Sequence, residues 1–257
     1  MDEDKDIHIE AYFPKGVQHI ITTGGHNYIG SVNGTTVLKY PHIKGDSHGI
    51  EIESAIYEHL GKHPRIIGFK GKHEDGLLLE YASNGSLKSY LQSERLIERE
   101  MIRYARETAE GVAHAHAKKV IICDINVRNI LLDDNLHVKL CDFQGRLLGP
   151  DGDVLYDGGV SENAESFMPR HDKDFASVKT DIFALGSTIY HIVKGHRPFP
   201  ELDTIDDEDE IWRRYQQGQY PPLEAVLAGE VIKMCWRGEY ISASKVAEDL
   251  SSLELHL

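Results

Sequence analysis

Apolar residues in the first eighty positions come in short runs broken by glycine or proline. Residues 17–22, 28–32 and 35–39 are β-prone, with Gly24-Gly25 after the first run and Asn33-Gly34 between the second and third. Asn-Gly accepts the positive φ of a tight turn, so the second and third runs are predicted to pair as a hairpin. Ile50, Glu53, Ile56, Tyr57 and Leu60 then recur at helical spacing, and Gly61 with Pro64 ends that helix. Residues 66–69 and 77–81 read as two further strands.

Beyond Asn84-Gly85-Ser86 the period changes. Ile102, Ala105, Ala109, Val112, Ala113 and His116 line one side of a long amphipathic helix over residues 102–117. Short strand-like runs follow at 120–122, 129–132 and 137–140. Residues 149–180 are polar and rich in Gly, Asp and Ser, with no regular element predicted; so long a stretch belongs to function or to disorder. Residues 181–194 return as a mostly apolar, buried helix. An acidic run over 201–210 favours the start of a further helix at 211–217. The pattern is α+β: an N-terminal extension (1–19), a small β-rich lobe with one helix (20–82), a hinge near 81–85 and a larger, mainly helical lobe (83–257). A cleft between two lobes is where a ligand is expected.

Composition narrows the function classes. The chain has 257 residues, 28 basic and 42 acidic, a net charge of −14. That balance disfavours non-specific binding to nucleic acid or anionic lipid. No apolar run approaches the roughly 20 residues of a spanning helix, and the start is acidic where a targeting peptide would be basic and then apolar. Cys123, Cys141 and Cys235 have no paired spacing, so a reducing compartment is expected: the cytoplasm, with the nucleus left open. Although histidine is abundant, His114 and His116 lie two apart on a helix and point in different directions, so they make no metal pair.

From about Ile20 to Leu250 the order of motifs resembles the protein kinase superfamily, a two-lobed fold. Val37-Leu38-Lys39 resembles the strand whose lysine holds the α- and β-phosphates of ATP, and Glu53 the helix glutamate that pairs with it. Residues 77–87 resemble the hinge, which implies Leu79 as gatekeeper and the backbone of Glu80 and Ala82 as adenine contacts. Asp124-Ile125-Asn126-Val127-Arg128-Asn129 resembles the catalytic loop, and Asp142-Phe143 the metal-binding motif. The resemblance implies that Asp124 accepts or orients the proton of the substrate hydroxyl. It makes Asn129 and Asp142 the oxygen donors to Mg²⁺, and sets the ATP triphosphate between Lys39 and Asp142. Asp181 would brace the catalytic loop from below. Met234-Cys235-Trp236 resembles a motif of tyrosine-kinase-like members, and Arg128 stands where their loops carry a cation for the transferring phosphoryl group. Implied partners are ATP and a protein substrate. The short chain also resembles stand-alone kinase-like proteins of filamentous fungi.

Several positions depart from the pattern. The phosphate loop keeps only Gly24 and Gly25. Ile122-Cys123 precedes Asp124 in place of His-Arg, Asn126 replaces a lysine, and Gln144 replaces the glycine after Phe143, with Gly145 one place late. Met168-Pro169-Arg170 replaces Ala-Pro-Glu, and no arginine occurs over 241–245, where that glutamate's partner is expected. Two alternatives follow: a catalytically weak pseudokinase acting as a nucleotide-binding scaffold, or a kinase-like fold recruited to AMP transfer or tRNA-dependent cyclodipeptide synthesis. Net acidity argues against tRNA. With Cys123 in place of arginine, the main receptor for a phosphate on residues 145–168 is missing, so activity is expected not to depend on one.

Overall fold

The computed structural model describes residues 11–257; the first ten positions of the expected N-terminal extension lie outside them. The chain forms two compact units. One comprises the described residues up to Glu51 together with Phe69–Tyr81, the other Ile52–Gly68 together with Ala82–Leu257.

The first unit carries an antiparallel sheet ordered β1 (His19–Thr23), β2 (Asn27–Asn33), β3 (Thr36–Pro41), β5 (Gly76–Glu80) and β4 (Phe69–His73). The predicted hairpin forms at Asn33-Gly34, where the Asn33 side chain accepts the Thr35 N–H at 3.0 Å. Central β3 is buried at every position, Lys39 included. Of residues 66–69, expected as a strand, only Phe69 lies in one. Ile66 and Ile67 are buried against the second unit's own chain, Ile67 N–H donating to the Leu140 carbonyl at 2.9 Å. The strand begins at Phe69 and is the sheet's edge, with Lys70 and Lys72 on its exposed positions, a charge pattern that discourages further pairing.

Helix α1 (His48–Leu60) has its residues from Ile52 onward in the second unit and stops at Gly61, whose φ of +65° suits glycine. The rest of that unit is built on α2 (Leu87–Ser93), α3 (Glu98–Ala117), α4 (Val178–Lys194), α5 (Glu208–Gln216), α6 (Gly229–Trp236) and α7 (Ala243–Glu254). The buried α4 is the hub. At Gly186 it passes so close to α6 that an added Cβ would lie 2.6 Å from that of Cys235. On α3 the buried Glu107 takes Arg65 at 3.1 Å and the Val138 N–H at 2.9 Å, joining the helix to the strand pair β7 (Ile130–Leu132) and β8 (Val138–Leu140).

The polar stretch 149–180 is more ordered than its composition implies. Strand β10 (Val154–Asp157) pairs with β9 (Arg146–Leu148), which pairs with β6 (Val120–Ile121), and a 3-10 turn covers Ala164–Ser166. Val154, Leu155 and Tyr156 are all exposed, so no alternation marks the strand. Asp151-Gly152-Asp153 before it was the readable hairpin signal. Among the described residues no helix is long and apolar enough to cross a membrane.

Candidate active site

The loop between β6 and β7 is shaped from beneath by α4. Fully buried Asp181 accepts the Ile122 N–H at 2.8 Å and the Cys123 N–H at 3.0 Å, while His116 meets the same carboxylate at 2.8 Å. Thr188, also on α4, donates to the Ile125 carbonyl at 3.1 Å. These bonds hold Cys123 at a φ of +62°, a region that side chains rarely occupy.

Asp124 follows, with both carboxylate oxygens engaged. Asn126 Nδ2 donates to Oδ1 and Asn129 Nδ2 to Oδ2, each at 2.7 Å. Burial pushes the Asp124 carboxyl up to about 6; the bond from Asn129 opposes this, and the charge of Asp142 adds to it. Asn126 also accepts the Arg128 N–H on its amide oxygen at 2.9 Å, so one buried side chain fixes two loop residues. Arg128 itself is exposed, and its guanidinium donates to Asn163 Oδ1 at 2.9 Å.

Pairing of β7 with β8 brings the next carboxylate alongside. Ile130 lies opposite Leu140, and the Cys141 N–H donates to the Asn129 carbonyl at 3.0 Å, so Asn129 and Asp142 follow one register. Asp142 has a φ of +63°. The Phe143 ring is fully buried and meets Tyr57 of α1 edge-on, centroids 5.4 Å apart. Gln144 Nε2 lies 3.4 Å from Glu53 Oε2, and Glu53 is itself fully buried. Asn129 turns its amide nitrogen toward Asp124, which leaves its oxygen as a donor to a cation. A divalent ion held by that oxygen and Asp142 would offset the charge that raises Asp124. This oxygen donor set fits Mg²⁺.

A model of the protein kinase domain matches residues 35–250. The chain belongs to that family. It is 32% identical over 176 residues to NUAK family SNF1-like kinase 1 of Homo sapiens, covering 66% of this chain and 25% of that protein. It is 31% identical over 198 residues to Aurora kinase A-B of Xenopus laevis, covering 73% and 46%. To Dual specificity protein kinase pyk3 of Dictyostelium discoideum it is 27% identical over 225 residues, covering 85% and 16%. The chain thus spans less than half the length of these curated relatives.

Within the family's pattern, Asp124, Arg128, Asn129, Asp142 and Glu53 all fall in the second unit of the kinase domain, as does Ala82. Lys39, Gly24, Gly25 and Glu80 fall in the first. Gly24 and Gly25 form the turn between β1 and β2, where the Gly24 N–H donates to the Asn27 carbonyl at 2.8 Å. Neither needs to be glycine for its backbone: their φ angles are not positive, and an added Cβ meets nothing nearer than 3.6 Å. Glu80 ends β5 opposite Thr36, and the buried Ala82 turns the chain through a carbonyl that accepts the Gly85 N–H at 3.2 Å. Two residues of the site escaped the motif pattern: Glu162 and Asn163 come from the stretch that looked structureless. Asn126, read in the sequence only as a lost lysine, gains its role from its two-sided amide.

The altered Met168-Pro169-Arg170 is also explained. Arg170 is not left unpaired by the lack of a late arginine's counterpart: Glu162, eight positions earlier, takes its Nη2 at 2.6 Å.

Proposed function

We propose that this kinase domain binds Mg²⁺-ATP and transfers the γ-phosphoryl group to a Ser, Thr or Tyr hydroxyl of a protein. The observation that carries the reading is the state of Asp124: a carboxylate with each oxygen held at 2.7 Å by an asparagine, beside the charge of Asp142. In-line transfer asks the protein for positioned charge more than for covalent chemistry. Asp124 accepts the hydroxyl proton and aims the nucleophile, and its two amide donors fix the direction of its lone pairs. Asn129 and Asp142 hold Mg²⁺, which when bound neutralises charge on the phosphates. Arg128 supplies the cation that Asn126 cannot. Lys39 and Glu53 keep the nucleotide-orienting roles of their motifs, Gly24 and Gly25 cover the phosphates, and the backbone of Glu80 and Ala82 meets adenine. ATP and a protein substrate are the partners, and a cytoplasmic location goes with the three free cysteines.

The test is incubation with Mg²⁺ and γ-labelled ATP on casein and on a Glu/Tyr copolymer, beside Asp124→Asn. Label transferred by the wild type and lost in the variant supports the reading. An ATP-dependent rise in melting temperature without any transfer would instead favour the nucleotide-binding scaffold. No rise at millimolar Mg²⁺-ATP would overturn the site.

A further inference from the structure

In the segment after Asp142, Ser161 and Asn163 are tied to the catalytic loop, and Glu162 between them is tied to Arg170 of the same segment. The Ser161 N–H donates to the carbonyl of Cys123, next to Asp124, at 3.2 Å. Asn163 Oδ1 takes the Arg128 guanidinium at 2.9 Å. Between them Glu162 turns inward, its side chain 1% exposed, and Oε2 meets Arg170 at 2.6 Å; the Arg170 side chain is 6% exposed. The other oxygen, Oε1, is buried without a hydrogen bond. Arg170 is fixed in turn: it donates to the Met168 carbonyl at 3.0 Å and the Lys173 carbonyl at 3.2 Å. Its guanidinium lies 3.7 Å from the centre of the Phe167 ring, and Phe167 stacks on Trp212 with centroids 4.8 Å apart.

A carboxylate this deep has a high cost unless it is paired. Burial pushes Glu162 up to about 7, the charges of Asp181 and Asp124 add to that, and Arg170 opposes it. What the acid does is anchor the middle of a three-residue tether whose two ends reach the catalytic loop. A segment of this kind is commonly ordered by an added phosphate that gains an arginine partner. In this chain the negative charge is already encoded at position 162, and its receptor is an arginine of the same segment.

We propose that Glu162 and Arg170 are positioning residues: their buried ion pair seats Ser161 on Cys123 and Asn163 on Arg128, so that the catalytic loop is set without phosphate on the segment. This rests on the phosphoryl-transfer reading of the site. The charge reversal at Arg170, relative to the family's glutamate, is then half of a local pair whose other half is Glu162. Its effect is on the placement of Arg128 and of the backbone before Asp124, and therefore on turnover more than on nucleotide binding.

The experiment uses the full chain, phosphatase-treated and free of phosphate by mass. Amide hydrogen exchange over residues 158–164, with kcat and KM for ATP, is compared in wild type, Glu162→Gln, Arg170→Met, the double variant and Glu162→Asp. Expected is a protected Ser161 amide in the unphosphorylated wild type. Either single neutral variant should exchange there roughly tenfold faster or more while α7 keeps its protection. Turnover should fall by about tenfold with KM for ATP within about twofold. The double variant should lose less than the sum of the two, and Glu162→Asp, which keeps the charge, should retain most of the protection. Protection that appears only after phosphorylation of Ser161 or Ser166 would overturn the proposal, and so would single variants that exchange like wild type. Exchange needs no turnover: a wild type that transfers no phosphate would refute the function reading while the exchange pattern still decides the pair.

Discussion

Asp181 holds Cys123 in left-handed backbone: its Oδ1 accepts the Cys123 N–H at 3.0 Å where φ is +62°. Such a conformation costs on the order of 1–2 kcal/mol for a residue with a Cβ. The same carboxylate offsets that cost through its bonds to Ile122 and His116. The turn it enforces is what swings Asp124 away from β6 toward its two asparagines.

Replacing Asp181 with alanine should therefore cost far more than one hydrogen bond. It leaves two buried N–H groups and a buried histidine nitrogen without their acceptor, which by analogy with breaking a buried charged pair is about 3–5 kcal/mol. Urea denaturation measures this directly. A loss under about 1 kcal/mol would mean the loop's shape is held by other contacts.

Asp124 should show its raised carboxyl twice. In the folded chain it titrates at about 6 against an ordinary 3.8, so the folded state holds the proton more tightly than the unfolded one. The stability that this contributes is full below pH 3.8 and is lost as pH rises through about 6. At pH 8, Asp124→Asn should therefore raise stability, by on the order of 1–2 kcal/mol once the loss of one well-formed amide bond is allowed for. Activity runs the other way. If Asp124 is the proton acceptor, kcat/KM in the wild type should fall about tenfold per pH unit on the acid side of its carboxyl titration, which bound Mg²⁺ would move below its metal-free position. Matched denaturation at pH 5 and pH 8 checks the first sign, and a pH–rate profile the second.

Arg128→Ala should lower turnover by roughly 10²-fold, the scale of deleting one positioned electrostatic donor, with ATP-induced stabilisation little changed. Arg128 is exposed and its guanidinium bonds to Asn163, so the variant should leave the fold intact. Asn126→Lys, which restores the family's usual cation, should rescue only in part. The lysine can reach Asp124 but cannot accept the Arg128 N–H, as the Asn126 oxygen does at 2.9 Å. Unchanged turnover in Arg128→Ala would leave the loop without a catalytic cation.

The motifs that carry the chemistry were legible because each is short and local. Asp124, Asn129 and Asp142 sit where a two-strand hairpin, itself visible as two apolar runs, places them in register. Helices α1 and α3 were legible from their period, and α4 from its mostly apolar run. What escaped depends on long-range partners. Ile66 and Ile67 are buried and join Leu140 through one isolated parallel bridge and a backbone hydrogen bond, too little to make a strand. β10 exposes three apolar side chains in a row, so its strand character comes from the turn before it and from β9. Glu162 looked like one more acid in a polar stretch; its burial is a property of Arg170, eight residues away.

The displaced glycine after Asp142-Phe143 gives the last prediction. The family's glycine is expected at 144, yet the tight approach occurs at 145: a Cβ on Gly145 would lie 2.1 Å from the Ile121 carbonyl oxygen and 2.5 Å from that of Ile122. Both carbonyls belong to β6 and the turn that Asp181 fixes, so neither can retreat as the end of a flexible side chain could. Gln144 is free to be large because its own side chain leaves that contact and reaches toward Glu53. The requirement for glycine has moved one residue along, and the sequence keeps it. Gly145→Ala should consequently destabilise by about 2–4 kcal/mol, as expected of a steric insertion against fixed backbone. Gln144→Gly should change stability by no more than about 1 kcal/mol, set against the lost entropy restriction of the unfolded chain and one long hydrogen bond. Restoring the family's glycine at 144 while substituting 145, as Gln144→Gly with Gly145→Gln, should fare no better than Gly145→Ala alone. If that double variant folds with wild-type stability, the segment can slide by one residue, and the close approach at 145 is not what fixes the register of Asp142.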